Sequence, residues 1–329
     1  MGEQSALPFV SIIISSYNDR ENLRECLFSL RALNYPKSKY EVIVVDAGST
    51  DGSPEMVERE FPEVKLIRAE RIGIAEAINK GIKHARGDYL VLELNTDEVV
   101  DRNWLMALVD VIMRSPDVGI ATGKRLIYGT NTIESVGGKV DYLTGRVIVI
   151  GYGEPSRRYS SMRDVDCAFV FLMRKDVIRK IGLFDEDYYI YFEDVDICLR
   201  ARRAGFRIVY VPEAWSWHKG SSVIGRGLRA YYYVQRNLMR LAIKNFDVPY
   251  MLSSLFCWLF LRPLHRALVL LPPIKKLLLS IGPPFSGLAH SDLEHLRLLV
   301  KAILWNLANL KQTMRSRHEA FARASPESV

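Results

Sequence analysis

Short apolar, β-branched runs alternate with segments of helical periodicity through the first half of the chain, and this alternation constrains the fold most strongly. Val10–Ser15 and Val42–Val45 are runs typical of buried strands. The first of them is followed by a polar turn and then by Leu23, Leu27 and Leu30 at helical spacing. Strands and helices in turn predict an α/β fold with a doubly wound, mostly parallel sheet flanked by helices.

Polar residues directly follow three of the predicted strands, at Tyr17-Asn18, Asp46–Asp51 and Asn95–Asp97. In doubly wound sheets, ligands bind beyond the carboxyl ends of the strands, so these turns predict a ligand site. Polar loops that serve only solubility are the alternative. The chain has neither GxGxxG nor GxxxxGK[ST] after a strand, which gives a Rossmann dehydrogenase or a P-loop ATPase little support.

Two side chains are candidate metal ligands. Asp97 ends a hydrophobic strand and offers the oxygen that Mg²⁺ or Mn²⁺ prefers. His218 follows a predicted strand and stands beside Trp215 and Trp217, where a packed or surface histidine is the alternative to a ligand.

Three carboxylates occur together in the segment Tyr191–Ile197, namely Glu193, Asp194 and Asp196. Carboxylates beside apolar surface are costly unless solvent, a cation or a reacting group meets them. Acids in the first turn of a helix, favoured there by the helix dipole, are the alternative interpretation.

Charge is distributed unevenly along the 329 residues. Residues 219–329 contain 16 Lys and Arg against 5 Asp and Glu, which leaves 29 against 33 for residues 1–218. The basic residues alternate with apolar runs, and this pattern favours a membrane surface over nucleic acid. The four cysteines form no CxxC pair, so neither a zinc site nor a disulfide framework is expected.

Val248–Leu261 is an apolar run without charge. As a helix it would reach ~21 Å, short of the ~30 Å hydrocarbon core of a bilayer. Three interpretations stay open for it and for the proline-broken apolar pieces up to residue 289: interfacial helices, a short or kinked span, and packing against protein. Leu296–Leu310 is predicted to be an amphipathic helix and residues 311–329 a charged tail.

Five ordered segments within residues 9–222 resemble the motifs of family 2 glycosyltransferases, in the branch that includes rhamnosyltransferase-like enzymes. The resemblance implies a GT-A fold for residues 1–222, followed by a basic, apolar, membrane-associating helical region over 223–329. It also implies inverting transfer from a nucleotide sugar linked to UDP, dTDP or GDP, with Mg²⁺ or Mn²⁺. The five segments are Val10–Asn18, Val44–Ser53, Ala75–Gly81, Gly87–Asp97 and Phe184–Arg200.

Carried over by position, the resemblance assigns roles to individual residues. Asp194 is the expected catalytic base, with Glu193 as a helper on the acceptor side, and Asp97 and His218 are the expected metal ligands. The remaining assignments are donor binding by Tyr17, Asp46, Ser49, Asn79, Asn95 and Asp97, and a sugar and acceptor pocket formed by Asp166, Cys167, Ala168 and Phe169.

One position departs from the family's DxD motif, because its first residue is Asn95 rather than Asp, and fewer anionic ligands weaken metal binding. Glu93 is expected on the same face as Asn95 from strand alternation, but is not assigned as a ligand.

The resulting prediction is a metal-dependent glycosyltransferase at the cytoplasmic face of the cell membrane, peripheral rather than spanning. Its expected acceptor is a lipid-linked saccharide or another glycoconjugate, and its oligomeric state is left open. Two alternatives stay open: a nucleotidyltransferase, and a catalytically silent sugar-nucleotide-binding protein that recruits partners to the membrane.

Overall fold

Two β-sheets are present in the computed structural model, which describes residues 7–220, 227–261 and 292–324. Ten strands form a central mixed sheet, and β8 and β9 form a separate two-stranded sheet. The strands are β1 (Val10–Ser16), β2 (Tyr40–Asp46), β3 (Lys65–Arg68), β4 (Tyr89–Leu94), β5 (Glu98–Val100), β6 (Val118–Ile127), β7 (Ile133–Ser135), β8 (Gly138–Asp141), β9 (Arg146–Val149), β10 (Arg163–Asp164), β11 (Phe171–Arg174) and β12 (Arg207–His218).

The strand order of the central sheet is β10-β12-β6-β11-β4-β1-β2-β3, with β5 added on β12 and β7 on β6. Strands β1 to β4 pair in parallel, as their alternation with helices predicts. Beyond them, β11 runs antiparallel between β4 and β6, and β6 pairs in parallel with β12. The predicted α/β fold is confirmed, with a sheet that is parallel in its first half and mixed in its second.

Helices cover both faces of this sheet because each buried strand is apolar on both sides. Ile12 and Ile14 belong to a buried cluster with Leu23 and with other side chains of the helices that follow β1, β2 and β5. Ile13 points to the opposite face, where a Cβ on Gly81 of the helix that follows β3 would clash with it. The helices are α1 (Arg20–Arg31), α2 (Ser53–Glu60), α3 (Ile74–His84), α4 (Trp104–Arg114), α5 (Lys175–Ile181) and α6 (Glu193–Arg203).

Contacts divide the chain into two units, one of residues 1–139, 148–223 and 321–329 and the other of residues 140–147 and 224–320. In the second unit the helix Asp292–Ala308 packs on the helix Leu228–Asn245, whose buried Arg240 donates to Thr313 Oγ1 at 2.7 Å. The helices of this part are α7 (Leu228–Asn245), α8 (Val248–Phe256, continued by one π-helical turn over Cys257–Leu261), α9 (Asp292–Ala308) and α10 (Leu310–Ala324).

The prediction of a charged tail after residue 310 is wrong for most of its length, because α10 continues to Ala324. Its Thr313 and Ala320 are buried, so packing stabilises a segment whose charge obscured its helical pattern.

No helix in the described part of the chain is long and apolar enough to cross a membrane. The apolar pieces predicted between Arg262 and residue 289 lie outside the described residues.

Candidate active site

The loop after β2 is organised by the Asp46 carboxylate. Its Oδ2 accepts the backbone N–H groups of Gly48 at 3.1 Å and Ser49 at 2.9 Å. Gly48 has a φ of 83°, a conformation that glycine adopts at little cost. The other oxygen, Asp46 Oδ1, is buried without a hydrogen-bond partner among the described residues. A buried acceptor of this kind suits a donor group of a ligand, such as a base or ribose.

The loop after β1 meets this loop directly. Ser49 Oγ accepts the backbone N–H of Asn18 at 2.9 Å, and Asn18 Oδ1 accepts that of Thr50 at 2.7 Å. The Tyr17 hydroxyl accepts from Arg71 at 2.9 Å, and the same guanidinium lies 4.7 Å from the Tyr17 ring centroid. The structure therefore collects Tyr17, Asp46 and Ser49 at one edge of the sheet.

Asn79 is placed differently from the other predicted donor-binding residues. It is buried in α3, and its amide nitrogen donates to the Phe184 carbonyl and to Glu186 Oε1, both at 2.9 Å. Its amide oxygen accepts the N–H of Phe184 at 3.0 Å. With both amide atoms bonded, Asn79 holds the segment that leads to α6, and a place in the donor site stays a prediction.

Asp97 and His218 are brought together by a strand pair that the sequence did not predict. Strand β5 begins directly after Asp97 and pairs antiparallel with β12, which sets Glu98 opposite His218. As a result His218 Nε2 lies 3.2 Å from Asp97 Oδ2. Asn95 is half-buried in the same turn, and its carbonyl accepts the N–H of Glu98 at 3.3 Å.

The second ring nitrogen of His218 is also bonded to a carboxylate, since Nδ1 lies 2.8 Å from Glu134 Oε1. Burial alone would lower the pKa of His218, but the bonds to Asp97 and Glu134 raise it to about 9. Burial likewise opposes ionisation of Asp97, and the bond from His218 outweighs it, so the pKa of Asp97 lies below its usual value.

The donor set at this point suits a divalent cation. One carboxylate oxygen and one imidazole nitrogen face each other, a combination that binds Mn²⁺ readily and leaves further positions for ligand or water oxygens. Within residues 7–220, 227–261 and 292–324 there is no group of three His, Cys, Asp or Glu side chains with metal-binding geometry. The protein would thus supply two ligands, with the remainder coming from a substrate and solvent.

The three carboxylates at the start of α6 have separate environments. Glu193 and Asp194 both have a raised pKa, chiefly because of burial: to about 8 for Glu193, where Asp194 adds repulsion, and to about 6 for Asp194. Asp194 accepts the N–H of Val195 at 2.7 Å, which partly offsets the effect of burial on its pKa. Burial thus favours the neutral form of both carboxyl groups, and repulsion from Asp194 favours it further for Glu193.

Asp196 has a structural role instead. It is fully buried, and its Oδ2 pairs with Arg200 Nε at 2.9 Å while Tyr188 donates to its Oδ1 at 3.3 Å. Arg200 also donates to the carbonyls of Ile181 at 2.8 Å and Leu183 at 3.0 Å. This third carboxylate is therefore part of a buried ion pair.

Glu93 lies close enough to Glu193 and Asp194 to interact with them electrostatically. Strand alternation did not predict this position. The pairing of β1 with β4 shifts register between Ile12 and Ile14, and Glu93 has a φ of 61°, as expected of a bulge. The bulge breaks the alternation on which a shared face with Asn95 depended. Burial, followed by repulsion from Glu193 and Asp194, raises the pKa of Glu93 well above its usual range.

The segment before α6 has strained backbone. Tyr189, Tyr191 and Phe192 have φ values of 63°, 69° and 70°, in a region that bulky residues rarely adopt. Tyr189 is held there because its carbonyl accepts the N–H of Ile74 at 2.7 Å. The backbone that delivers Glu193 and Asp194 is thus constrained from α3.

The predicted pocket segment is only partly accessible. Cys167 and Ala168 are fully buried, whereas Phe169 is half-buried. Asp166 pairs with Arg202 of α6 at 2.7 Å. Of these four residues, Asp166 and Phe169 are the ones that retain exposed side-chain surface.

A model of the family described as "Glycosyl transferase family 2" matches residues 11–182, which is more than half of the chain. This match spans the loops of Tyr17 and Asp46 and the Asp97 turn. The chain belongs to glycosyl transferase family 2. The predicted family and enzyme class are confirmed, and membership of the rhamnosyltransferase-like branch stays a prediction.

Relatives with curated names agree with this family. The chain is 33% identical over 225 residues to the glycosyltransferase AglE of Haloferax volcanii, covering 65% of this chain and 68% of that protein. It is 27% identical over 213 residues to the poly-β-1,6-N-acetyl-D-glucosamine synthase of Staphylococcus aureus, covering 63% of this chain. The chain spans about half the length of that synthase, 49%.

Solved structures share the fold at low identity. The mannosyltransferase PcManGT from Pyrobaculum calidifontis, in complex with GDP-Man and Mn²⁺, matches with a TM-score of 0.56 and 20% identity, over 98% of this chain and 88% of its own. GalNAc-T7 with UDP, GalNAc and Mn²⁺ also gives 0.56, with 18% identity, over 77% and 54% of the two chains. These likenesses establish the GT-A type of fold.

Proposed function

We propose that the protein is an inverting, metal-dependent glycosyltransferase that moves a sugar from a nucleoside diphosphate donor to a hydroxyl group. The observation that carries this proposal is the approach of Asp97 and His218, at 3.2 Å, beside the nucleotide-type loops of a family 2 chain. A nucleotide sugar and Mn²⁺ occur together in the PcManGT complex, which agrees with the donor class.

The donor would bind along the edge formed by the loops after β1 and β2. Asp46 Oδ1, buried and without a partner among the described residues, would accept a hydrogen bond from the base or ribose. Tyr17 offers a ring face for the base and Ser49 a hydroxyl. We propose that the donor sugar is linked to UDP, dTDP or GDP.

Asp97 and His218 would hold the divalent cation, Mg²⁺ or Mn²⁺, which when bound neutralises the charge that develops on the departing diphosphate. Asn95 lies in the same turn and would contact the diphosphate through its neutral amide. Asp97 would therefore be the one negatively charged ligand among these three residues. The remaining coordination positions of the cation would be filled by the donor and solvent.

Asp194 would act as the general base. An acceptor hydroxyl has a pKa far above neutral and needs a proton acceptor as it attacks. With its pKa raised to about 6 by burial, Asp194 is ionised at neutral pH yet more basic than an ordinary aspartate. Attack from the side opposite the diphosphate inverts the anomeric centre. Glu193, neutral below its pKa of about 8, would donate a hydrogen bond to the acceptor.

The acceptor is proposed to be a lipid-linked saccharide or another glycoconjugate precursor at the cytoplasmic face of the membrane. Two observations support attachment to a membrane surface. Helix α8 exposes Val248, Leu252 and Phe256, each more than half accessible, at a spacing of four residues. The region from residue 219 onward carries the excess of basic residues that anionic lipid attracts.

The function is tested by Asp194→Asn. We expect transfer to fall by roughly 10²- to 10⁴-fold, since the base is lost while the shape of the side chain is kept. Donor affinity should stay nearly unchanged. The measurement is thermal shift against a panel of nucleotide sugars with and without Mn²⁺, followed by transfer assays with the sugar that stabilises the fold.

Near-normal turnover of Asp194→Asn would remove Asp194 as the base. Stabilisation by a donor with neither hydrolysis nor transfer in the unaltered protein would instead favour a silent sugar-nucleotide-binding protein. Release of inorganic pyrophosphate from a nucleoside triphosphate would favour a nucleotidyltransferase.

A further inference from the structure

Glu134 contacts His218 directly, and neither the motifs nor the proposed function assigns it a role. It lies on β7, at a point where the pairing with β6 shifts register between Arg125 and Leu126. This irregularity leaves Glu134 without a direct partner residue on β6. Its carboxylate oxygen Oε1 lies 2.8 Å from His218 Nδ1, the ring nitrogen that does not contact Asp97.

We propose that Glu134 is a positioning residue that orients the His218 imidazole for metal binding. This inference rests on the proposed function. Histidine ligands bind a metal through one ring nitrogen while the other donates its hydrogen to a carboxylate or carbonyl. Here Nδ1 lies 2.8 Å from Glu134 Oε1, and Nε2 faces Asp97 Oδ2 at 3.2 Å. A proton on Nδ1 that is donated to Glu134 would leave Nε2 able to bind an ion beside Asp97.

Glu134 does not act as a third ligand in this arrangement. The two nitrogens of an imidazole ring point away from each other, so an oxygen bonded to Nδ1 lies on the far side of the ring from an ion bound at Nε2. The effect of Glu134 on the metal is therefore exerted through the orientation and basicity of His218.

Glu134 is itself held in place by Arg125. The Arg125 Nε atom lies 3.2 Å from Glu134 Oε2, and the same guanidinium pairs with Glu98. The Glu98 side chain is fully buried and that of Arg125 is 15% exposed. Glu134 Oε1 thus faces a histidine nitrogen, and Oε2 is in ion-pair contact with a largely buried arginine without a hydrogen bond to it. The positive charge beside Oε2 favours a Glu134 carboxylate that stays in place next to His218.

The test is a titration of the full-length protein with Mn²⁺ alone, followed by electron paramagnetic resonance of the free ion. We expect Glu134→Ala to raise the dissociation constant of Mn²⁺ by about 10- to 100-fold. Glu134→Gln keeps an oxygen acceptor and should give a smaller rise. In transfer assays the concentration of Mn²⁺ needed for half-maximal rate should rise, while kcat at saturating Mn²⁺ is largely recovered.

Glu154→Ala is the matched control, because Glu154 is also a carboxylate paired with an arginine, Arg158, but does not contact His218. Its Mn²⁺ affinity should equal that of the unaltered protein. Thermal unfolding checks that each variant is folded. If Glu134→Ala does not fold, the Mn²⁺ affinity of Glu134→Gln tests the inference. Unchanged Mn²⁺ affinity in a folded Glu134 variant would overturn the inference.

Asp97→Asn and His218→Ala in the same titration separate this inference from the proposed function. If both lose Mn²⁺ binding and the Glu134 variants do not, only the role of Glu134 fails. If neither loses it, the proposed metal site itself is wrong.

Discussion

The carboxyl groups of Glu193 and Asp194, consecutive in sequence at the start of α6, differ in pKa. Burial raises the pKa of both, and repulsion from Asp194 raises that of Glu193 further, to about 8 against about 6. Arg125 acts on Asp194 in the opposite direction. Among the described residues, further ionisable groups that act on this pair or respond to it include Glu93, Tyr191, Asp196, Cys167 and Cys198. These shifts favour an arrangement in which Asp194 ionises before Glu193 as the pH rises.

This difference predicts a bell-shaped pH profile of kcat/KM. The rate should rise with pH through about 6, as Asp194 loses its proton and becomes a base. It should fall through about 8, as Glu193 loses the proton that it donates to the acceptor. Glu193→Gln keeps a hydrogen donor at all pH values, so it should retain the acid limb and lose the alkaline one. An acid limb that is absent at saturating Mn²⁺ would contradict the assignment of Asp194.

Individual residues of the site were predictable where a motif carried them, as for Asp46, Asp97 and Asp194. Glu93 and Glu134 were not predictable, because each reaches the site through an irregularity of strand pairing. No pattern in the sequence marks the single glutamate of Ile133–Ser135 as a partner of His218. The two residues are 84 positions apart.

At the scale of elements, α6 is anchored by the buried Asp196–Arg200 pair. Arg200 extends from this helix to the carbonyls of Ile181 and Leu183, where the chain leaves α5. The pair therefore joins the end of one helix to the first turn of the next, the turn that carries the proposed base. Asp196 belongs to the acidic motif, but its role is to stabilise the folded protein.

Asp196→Ala should destabilise the protein by about 3–5 kcal/mol, because it leaves the buried Arg200 guanidinium without its counter-ion. The matched control is Asp110→Ala, which removes an exposed pair at the same i,i+4 spacing and the same 2.9 Å separation. That change should cost less than about 1 kcal/mol. Urea unfolding of both variants provides the comparison, and equal losses would contradict a structural role for Asp196.

Elements were predicted well where pattern was strong. The first four strands are β-branched runs, and their parallel pairing followed from the helices between them. Strands β5 and β7 have three residues each, too few to show a period, yet β5 pairs with β12 to bring His218 to Asp97. Helix α10 was not predicted because its many charged residues obscure the periodic spacing of the residues that are buried.

At the scale of the whole molecule, charge and function are divided along the chain. The candidate site lies within residues 7–220, in the part where acidic and basic residues nearly balance. The basic excess lies after residue 218, in a region whose helices expose apolar side chains. The α/β fold was predictable from alternation alone, whereas the arrangement of the C-terminal helices depends on packing that no short pattern encodes.

This division predicts binding to anionic vesicles through α8. The double variant Leu252→Glu with Phe256→Glu should reduce co-sedimentation with phosphatidylglycerol vesicles at least tenfold. Each apolar side chain that becomes buried in the membrane contributes about 1.5–3 kcal/mol to binding. Tyr152→Glu is the control, because this residue is 67% exposed but belongs to the first unit. Binding should also weaken between about 0.1 M and about 1 M salt, as the Debye length falls from ~10 Å to ~3 Å. Equal sedimentation of the double variant and the control would exclude α8 as the docking surface.

The strained segment before α6 has a consequence for which substitutions the protein tolerates. A Cβ on Gly73 would lie 2.6 Å from the carbonyl oxygen of Tyr189, so no larger residue fits there without moving that segment. The bond from Ile74 to the same carbonyl transmits any movement. A larger residue at position 73 is therefore expected to displace the segment that leads to Asp194. In an activity assay this change would look like loss of the base, although Asp194 itself is unaltered.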